Sequence, residues 1–252
     1  MPLHDWIILY LETAGLYHLV RLNSQWFWVD EPLLSAFIER WCPETHTFHM
    51  PFGECTITLQ DVAYQLGLPI DGFHERFRVL LADASEETVR IYARAYIMML
   101  LSSQLFVDKN ANRIHLRWLP YLASMDDLSR YSWGSAALAW LYRCLCRGTN
   151  RNVVNLAGPL QLLQSWIFWR FPSLRPSSFD VFGFPLASRY GLLFSVQNLF
   201  DYFMWEPYSS PEVVAVVHPE ILVDEHRRLW TAVTSLIYFA AIEWHQVDRV
   251  IP

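Results

Sequence analysis

The chain has 252 residues, of which 53% are hydrophobic and only 17% are charged. Disordered chains are weakly hydrophobic and highly charged, so this composition predicts a folded core. The formal net charge is −6, and 12 tryptophans stand against only 9 glycines. These values exclude collagen-like, linker-like and tail-like sequences. Because no linker-like or low-complexity segment interrupts the chain, residues 1–252 are expected to form a single compact domain.

The cysteines and the apolar runs indicate the compartment. Four cysteines in a chain of this size are too few for a disulfide scaffold. The N-terminus has no basic segment and carries Asp5 ahead of its apolar residues, which is not typical of a secretory signal. The two most apolar runs, residues 96–107 and 231–242, are shorter than the roughly 20 residues that span a bilayer. We therefore expect a reducing compartment and no membrane segment.

The first predicted elements are a helix and a hairpin. Asp30 is suited to cap a helix whose apolar residues repeat on one face, and that helix should end before Pro43. Two β-rich stretches, residues 45–50 and 55–58, then flank a turn that begins at Pro51. This hairpin is the one clear β signal in the sequence.

Helical patterns dominate the rest of the chain. Thr58 and Asp61 form a capping-box pattern ahead of a helix that should end at Gly67. Further helices are predicted from residue 85 to a turn at residue 108, and at residues 135–147, 159–170 and 224–244. In the last two, apolar residues cover nearly the whole circumference, which predicts that both lie at the centre of the fold. The expected fold is mainly α, with many helices and one small β-hairpin near residues 45–58.

The sequence lacks the motifs of several enzyme classes. It contains no G-x-S-x-G, no H-E-x-x-H and no complete phosphate-binding loop. Pyridoxal-phosphate enzymes need a lysine for the Schiff base, and the one lysine, Lys109, lies in a polar turn that is poorly suited to a buried aldimine. We therefore predict a protein that is not an enzyme and that needs no cofactor.

Four potential zinc ligands lie close together in the sequence, namely Cys42, His46, His49 and Cys55. Side chains alternate between the two faces of a strand, so His46 and His49 are expected on opposite sides of the hairpin. For this reason we predict no metal site.

The charges are unevenly distributed. Residues 113–175 hold eight arginines and two aspartates, a net charge of +6, whereas the segments before and after carry −7 and −5. Arg143, Arg147 and Arg151 are spaced to form one ridge at a helix end. This ridge could contact phosphates or an acidic partner, or it could pair with the protein's own acidic segments. We favour internal pairing, because an acidic chain with one lysine lacks the broad positive field of non-specific nucleic-acid binders.

A series of sequence blocks, which we call the signature blocks, appears in a defined order. The blocks are Trp41, PETHTFHMP at 43–51, Gly53–Glu54, TLQDV at 58–62, LGLPIDG at 66–72, GSAALAWLYR at 134–143, GPLQLLQSW at 158–166, Phe171–Pro172, Arg175–Pro176, WEPY at 205–208, His245 and Arg249–Val250. Together they resemble the plant mobile domain family, which is also labelled aminotransferase-like. The resemblance spans most of the chain, although the segment between residues 72 and 85 is shorter than is usual in the family.

This resemblance implies a plant nuclear protein that acts in transposon silencing, regulation of gene expression and meristem maintenance. It also implies two kinds of partner, a protein phosphatase 7-like protein and other plant mobile domain proteins. It supplies no catalytic residues, and the argument from Lys109 contradicts the aminotransferase-like label. We therefore predict a non-enzymatic protein-interaction module. The alternative is a transposon-derived nucleic-acid-binding protein that uses Arg143, Arg147 and Arg151.

Five polar residues of the signature blocks are the predicted partner-binding residues. They are Glu44, His46, His49, Glu54 and Asp71. A structural role, in which they fix the hairpin and its turns, is an equally strong interpretation.

Overall fold

The chain forms helices and two small antiparallel sheets within residues 5–24, 28–68, 86–107, 118–150, 157–176, 183–188, 202–239 and 241–249, which are the residues that the structure, a computed structural model, describes. The helices are α1 (Asp5–Thr13), α2 (Tyr17–Asn23), α3 (Glu31–Ile38), α4 (Leu59–Leu66), α5 (Glu86–Leu100), α6 (Leu119–Ala123), α7 (Trp133–Gly148), α8 (Leu160–Arg170), α9 (Pro211–Val216) and α10 (Asp224–Trp230). The strands are β1 (Trp41–Cys42), β2 (Thr47–Met50), β3 (Gly53–Cys55), β4 (Thr234–Tyr238) and β5 (Ala241–His245). The predicted mainly α fold is confirmed.

Two helices begin where their capping residues predict. The Asp30 carboxylate accepts a hydrogen bond of 2.9 Å from the backbone N–H of Leu33 at the start of α3. At the start of α4 the Thr58 backbone N–H donates to the Asp61 carboxylate at 2.8 Å, which completes the capping box. This helix ends at Gly67, whose φ of 65° and close approach to His18 leave no room for a side chain.

The predicted hairpin near residues 45–58 is confirmed, and a third strand extends it. Strand β2 pairs with β3, and β1 pairs with the other edge of β2, so that the order is β1-β2-β3. Phe48 lies opposite both Trp41 and Cys55. These three buried side chains therefore form the core face of the sheet.

The predicted helix at residues 224–244 is wrong in its second half. The helical part, α10, ends at Trp230, and β4 and β5 then form a second hairpin. Leu236 and Tyr238 are buried while Ile237 between them is exposed, which is the alternation of a strand. The apolar residues after Trp230 thus lie on the two faces of a hairpin and not around a helix, and the described residues form two small sheets where one hairpin is predicted.

Helix α5 lies within the helix predicted from residue 85, and one side of it is buried. Ala93 and Ile97 are buried, whereas Tyr92 is 64% exposed. Helix α5 continues as a π-helix over Leu101–Leu105, which widens the turn near its end.

Helix α8 lies at the centre, as its all-round apolar pattern predicts. Every residue from 161 to 170 is buried. Trp166 stacks on Phe48 with ring centroids 5.3 Å apart, and Phe37 meets the Phe171 ring edge-on at 5.1 Å. Aromatic contacts thus join α8 to α3 and to the core face of the three-stranded sheet. None of the helices among the described residues combines the length and the hydrophobicity that crossing a membrane requires.

Candidate functional site

The three-stranded sheet has an outer face that carries most of the predicted partner-binding residues. Cys42 pairs with Thr47, and His49 pairs with Glu54, so these four side chains lie on the face opposite Phe48. We call this surface, together with Glu44, the signature face.

Glu54 is the central charge of the signature face. Its Oε2 accepts a hydrogen bond of 2.9 Å from the Thr47 hydroxyl, and Arg249 Nε lies 3.5 Å from the same oxygen. His49 Nε2 lies 3.7 Å from the other carboxylate oxygen. The side chain of His49 is 52% exposed and that of Glu54 is 31% exposed, so a partner could reach both.

Glu44 lies in the turn between β1 and β2 and is exposed. The Cys42 thiol donates a hydrogen bond of 3.1 Å to its Oε2. This bond, together with the backbone N–H of Glu44 itself, lowers the pKa of the carboxyl group. Glu44 therefore presents a negative charge at neutral pH.

His46 is positioned by the second hairpin and contributes little to the outer surface. Its Nε2 lies 3.3 Å from the Glu243 carboxylate, and its Nδ1 lies 3.4 Å from the carbonyl oxygen of Trp244. The ring is stacked on Trp41, on the core side of the sheet, and its side chain is only 12% exposed. His46 also adopts φ 52°, an unusual conformation for a residue other than glycine. These contacts favour the structural interpretation for this residue.

The structure separates the four potential zinc ligands. His46 and Cys55 lie on the core side, whereas Cys42 and His49 lie on the signature face, as strand alternation predicts. Burial raises the pKa of the Cys55 thiol to about 12, which keeps it protonated and unsuited to metal binding or nucleophilic attack. Within the part of the chain that the structure describes, no group of three or more His, Cys, Asp or Glu side chains could hold a metal ion.

Two of the three predicted ridge arginines lie on the last two turns of α7. Arg143 is partly buried, and Arg147 is exposed, with its guanidinium 5.9 Å from the Trp140 ring centroid. Arg151 and the fifth predicted partner-binding residue, Asp71, lie outside the described residues.

Three other arginines of the basic segment contact groups of the protein itself. Arg170 pairs with Asp61 at 3.1 Å, and Arg175 donates to the carbonyl oxygen of Phe168 at 2.6 Å. Arg130 is exposed and pairs with Asp127 at 3.4 Å. The described part of the segment therefore does not present its arginines as one basic patch.

A buried polar network was not predicted, and it joins several of the signature blocks. Asp61 is fully buried, and its Oδ1 accepts hydrogen bonds from Arg170 at 3.1 Å and from the Tyr208 hydroxyl at 2.7 Å. Gln65 donates to the Tyr208 oxygen at 3.0 Å and accepts from Ser165 at 2.5 Å. We call these five residues the buried network.

The buried network fixes three segments relative to each other. It connects α4 and α8 to the segment before α9, where Arg170 also donates to the carbonyl oxygen of Trp205 at 2.6 Å. Burial and the neighbouring Asp61 raise the pKa of Tyr208 well above its usual range, so that its hydroxyl stays a donor. Polar residues within the otherwise apolar helix 159–170 were the available signal, because buried polar groups need partners.

Comparisons with known proteins agree with the sequence blocks. The model of the family described as plant mobile domain matches residues 15–75 and 74–252. Among Arabidopsis thaliana proteins, a serine/threonine-protein phosphatase 7 long form homolog is 33% identical over an alignment of 315 residues, which covers 99% of this chain and 23% of that protein. Protein MAIN-LIKE 1 is 30% identical, covering 88% of this chain and 53% of that protein, and Protein MAINTENANCE OF MERISTEMS is 27% identical, covering 88% and 56%.

This chain thus spans between about a quarter and just over half of the length of these relatives. No solved structure gives a significant match. The family model covers nearly the whole chain, including the blocks that form the signature face and the buried network. The chain therefore belongs to the plant mobile domain family.

Proposed function

We propose that this chain is a non-enzymatic protein-interaction module of a plant nuclear complex that acts in transposon silencing, regulation of gene expression and meristem maintenance. The observation that carries the proposal is family membership, with a relative named MAINTENANCE OF MERISTEMS. Two of the four cysteines agree with a non-enzymatic role, because burial raises the pKa of Cys55 and of Cys144 to about 12 and makes these two thiols poor nucleophiles at neutral pH.

The proposed partners are a protein phosphatase 7-like protein and other plant mobile domain proteins. One relative is named a serine/threonine-protein phosphatase 7 long form homolog, and this chain aligns with only 23% of it. A region related to this chain thus occurs within a longer protein of that name. Two regions that are joined in one polypeptide are candidates to associate when they occur in separate proteins. The joining of a region related to this chain with the rest of that longer protein therefore supports a phosphatase 7-like partner.

The signature face is the proposed docking surface. Glu44, His49 and Glu54 are accessible on it, whereas His46 is held against the second hairpin and acts by positioning the sheet. Two carboxylates beside an exposed histidine suit a partner surface that presents arginine or lysine side chains. Asp71 stays a predicted member of this surface.

Co-purification from plant nuclei tests the proposal. An epitope-tagged chain is expressed in plant cells, the nuclear fraction is isolated, and the bound proteins are identified by mass spectrometry. We expect a phosphatase 7-like protein with the unchanged chain, and a loss of about tenfold or more, equivalent to about 1.4 kcal/mol, with Glu44→Gln/Glu54→Gln.

Glu212→Gln, an exposed change on α9 outside the signature face, is the matched control and should retain the partner. If a folded chain is absent from nuclei, or captures no phosphatase 7-like protein there, the proposal fails. If Glu212→Gln and the double variant lost the partner to the same extent, the signature face would not be the docking surface.

Nucleic-acid binding is the second candidate, and the position of two arginines at the end of α7 favours it. Arg147 is exposed, and Arg143 precedes it by one turn. Binding through these residues would weaken steeply with salt, because phosphate contacts release counterions. Filter binding of a DNA duplex at 50 and 200 mM salt, with the unchanged chain and with Arg143→Ala/Arg147→Ala, tests this candidate. Equal binding by the two proteins would exclude it.

A further inference from the structure

A pocket of about 480 Å³ opens between the second hairpin and the start of α7. Seven aromatic side chains line it, contributed by the end of the π-helix after α5, by α6 and the residue before it, by the segment before α7 and the first residue of α7, by β4 and by the turn after β4. Small-molecule sites in proteins are clefts of about 300–1,000 Å³ with mostly apolar walls and a few polar groups. The pocket falls within this range, and none of its lining residues belongs to the signature face.

The aromatic walls hold each other in place. Trp118 stacks on Phe106 with ring centroids 4.6 Å apart, and Phe239 lies 5.1 Å from Trp118. Tyr121 meets Phe239 edge-on at 5.3 Å and Tyr131 edge-on at 5.1 Å. Rings that already contact one another need little reordering when a ligand binds, so the cost of immobilising them is small.

Phe239 holds its position through an unusual backbone conformation. It has φ 52°, in the left-handed region that bulky side chains rarely adopt, at the turn between β4 and β5. This conformation places a large ring at a hairpin turn that usually carries glycine or asparagine. Backbone strain of this kind is concentrated at functional sites.

One charged side chain and several hydroxyl groups line the pocket. Arg130 is the charged residue among those that line it, and Ser132, Ser135, Thr234 and Ser235 add hydroxyl groups. The Arg130 guanidinium pairs with the Asp127 carboxylate at 3.4 Å, and both side chains are at least half exposed. Exposed ion pairs of this kind contribute little to stability, so an incoming anion can displace Asp127 from the arginine.

We propose that this pocket binds a planar apolar small molecule that carries one anionic group. The ring system lies between the aromatic walls, where stacking favours flat ligands. The anionic group pairs with Arg130 at the mouth, as charge-assisted hydrogen bonds to a guanidinium allow. A cationic ligand would face the repulsion of Arg130, and a neutral one would leave the guanidinium unused. The proposal is independent of the proposed docking function.

Three naphthalene probes of nearly equal shape test the charge preference. They are 2-naphthoate, 2-naphthalenemethanol and (2-naphthylmethyl)trimethylammonium, titrated into the full chain and followed by calorimetry. We expect 2-naphthoate to bind about two- to fivefold more tightly than the alcohol, because its pair with the exposed Arg130 side chain adds only a modest gain, and the ammonium compound to bind most weakly. Equal affinities for the three probes, a preference for the ammonium compound, or no binding of 2-naphthoate at millimolar concentration would overturn the proposal.

Variants locate the binding. Arg130→Gln should reduce the affinity for 2-naphthoate to that for the alcohol, and Asp127→Asn should increase it by freeing the arginine. Arg227→Gln is the matched control, because Arg227 also pairs with an exposed aspartate three residues away, Asp224, but does not line the pocket. A loss with Arg227→Gln as large as that with Arg130→Gln would contradict the site.

Ala136→Phe should fill part of the pocket and weaken all three probes, with circular dichroism as the check on folding. Should this variant unfold, the comparison of Arg130→Gln with Arg227→Gln still tests whether 2-naphthoate binds in this pocket.

A partner peptide with an aromatic side chain is a competing occupant. If such a peptide displaced none of the bound 2-naphthoate, the proposed small-molecule site would be supported. Tight peptide binding without any binding of 2-naphthoate would overturn the proposal in favour of a peptide site.

Discussion

Two clusters of charged and polar residues, each of which includes residues of the signature blocks, differ mainly in their access to water. In the buried network the side chains of Asp61 and Arg170 are 0% and 9% exposed. On the signature face Glu54 and its partner Arg249 are 31% and 43% exposed. The first carboxylate uses both oxygens for internal hydrogen bonds, whereas the second accepts one hydrogen bond from Thr47 and has only longer, exposed contacts with Arg249 and His49.

This difference separates residues that hold the fold together from residues that can serve a partner. A charge deprived of water depends on every internal hydrogen bond that replaces its hydration, so losing one partner destabilises the protein strongly. A hydrated charge loses little when its neighbour is removed. The signature blocks therefore contribute residues to a structural cluster and to an accessible one, and substitutions in each cluster should behave differently.

The largest effect is expected for Asp61→Ala. This change removes the acceptor for Arg170 and Tyr208 and leaves an uncompensated buried guanidinium, so unfolding free energy should fall by about 3–5 kcal/mol. Urea denaturation followed by circular dichroism measures it. In the double variant Asp61→Ala/Arg170→Met the loss should be smaller than the sum of the two single losses, because no unpaired charge remains. Additive losses would mean that the pair is not coupled as the contacts indicate.

A smaller effect is expected for Tyr208→Phe, which keeps the ring and removes the hydroxyl. Asp61 then loses one donor and Gln65 loses its acceptor, so the free energy of unfolding should decrease by about 1–2 kcal/mol. Tyr202 is 59% exposed and gives the matched control, since Tyr202→Phe should change stability by less than about 0.5 kcal/mol. A loss at Tyr208 no larger than that at Tyr202 would show that the hydroxyl contributes nothing to the network.

A pH dependence is expected at the border of the buried network. His245 Nε2 accepts from the backbone N–H of Leu59 at 3.4 Å, and its Nδ1 lies 3.0 Å from the carbonyl oxygen of Ala232. Burial lowers the pKa of His245 below its usual value, so the folded protein holds the neutral ring. The unfolded chain takes up the proton first, and stability is therefore lost as pH falls below about 6.5 towards the lowered pKa.

Denaturation midpoints at pH 7.5, 6.5 and 5.5 measure this dependence in the unchanged chain and in His245→Gln. The variant starts from lower stability at pH 7.5, because glutamine fits the two backbone groups less well, but it should lose less between pH 6.5 and 5.5. Each unit by which the pKa of His245 is lowered corresponds to about 1.4 kcal/mol. Parallel pH profiles for the two proteins would exclude His245 as the titrating group.

The fold was predictable where local chemistry decides the structure. Asp30 and Thr58 cap helices through side chains close in sequence, and Gly67 ends one through its own backbone conformation. The hairpin of β4 and β5 was missed because its turn, which contains Phe239, has neither glycine nor asparagine. The packing of β4 against α7 stabilises this hairpin, and the helical pattern of α10 just before it concealed the change of period.

The candidate site was predicted in composition but not in arrangement. The exposed positions of His49 and Glu54 follow from strand alternation, which a sequence shows. The contact of His46 with Glu243, by contrast, joins residues nearly two hundred positions apart and depends on the hairpin that was missed. The partners of Asp61 were hidden for the same reason, because Tyr208 and Arg170 lie far along the chain.

The smallest effect on stability, and the one that best separates the two clusters, is expected for Glu54→Gln. The neutral amide can still accept from the Thr47 hydroxyl, and the exposed contacts with Arg249 and His49 contribute little, so the free energy of unfolding should change by less than about 0.5 kcal/mol. Capture of the nuclear partner should nevertheless fall, because the docking surface loses a negative charge. A destabilisation comparable to that of Asp61→Ala would assign Glu54 to the fold, and unchanged capture at unchanged stability would show that the partner does not use this carboxylate.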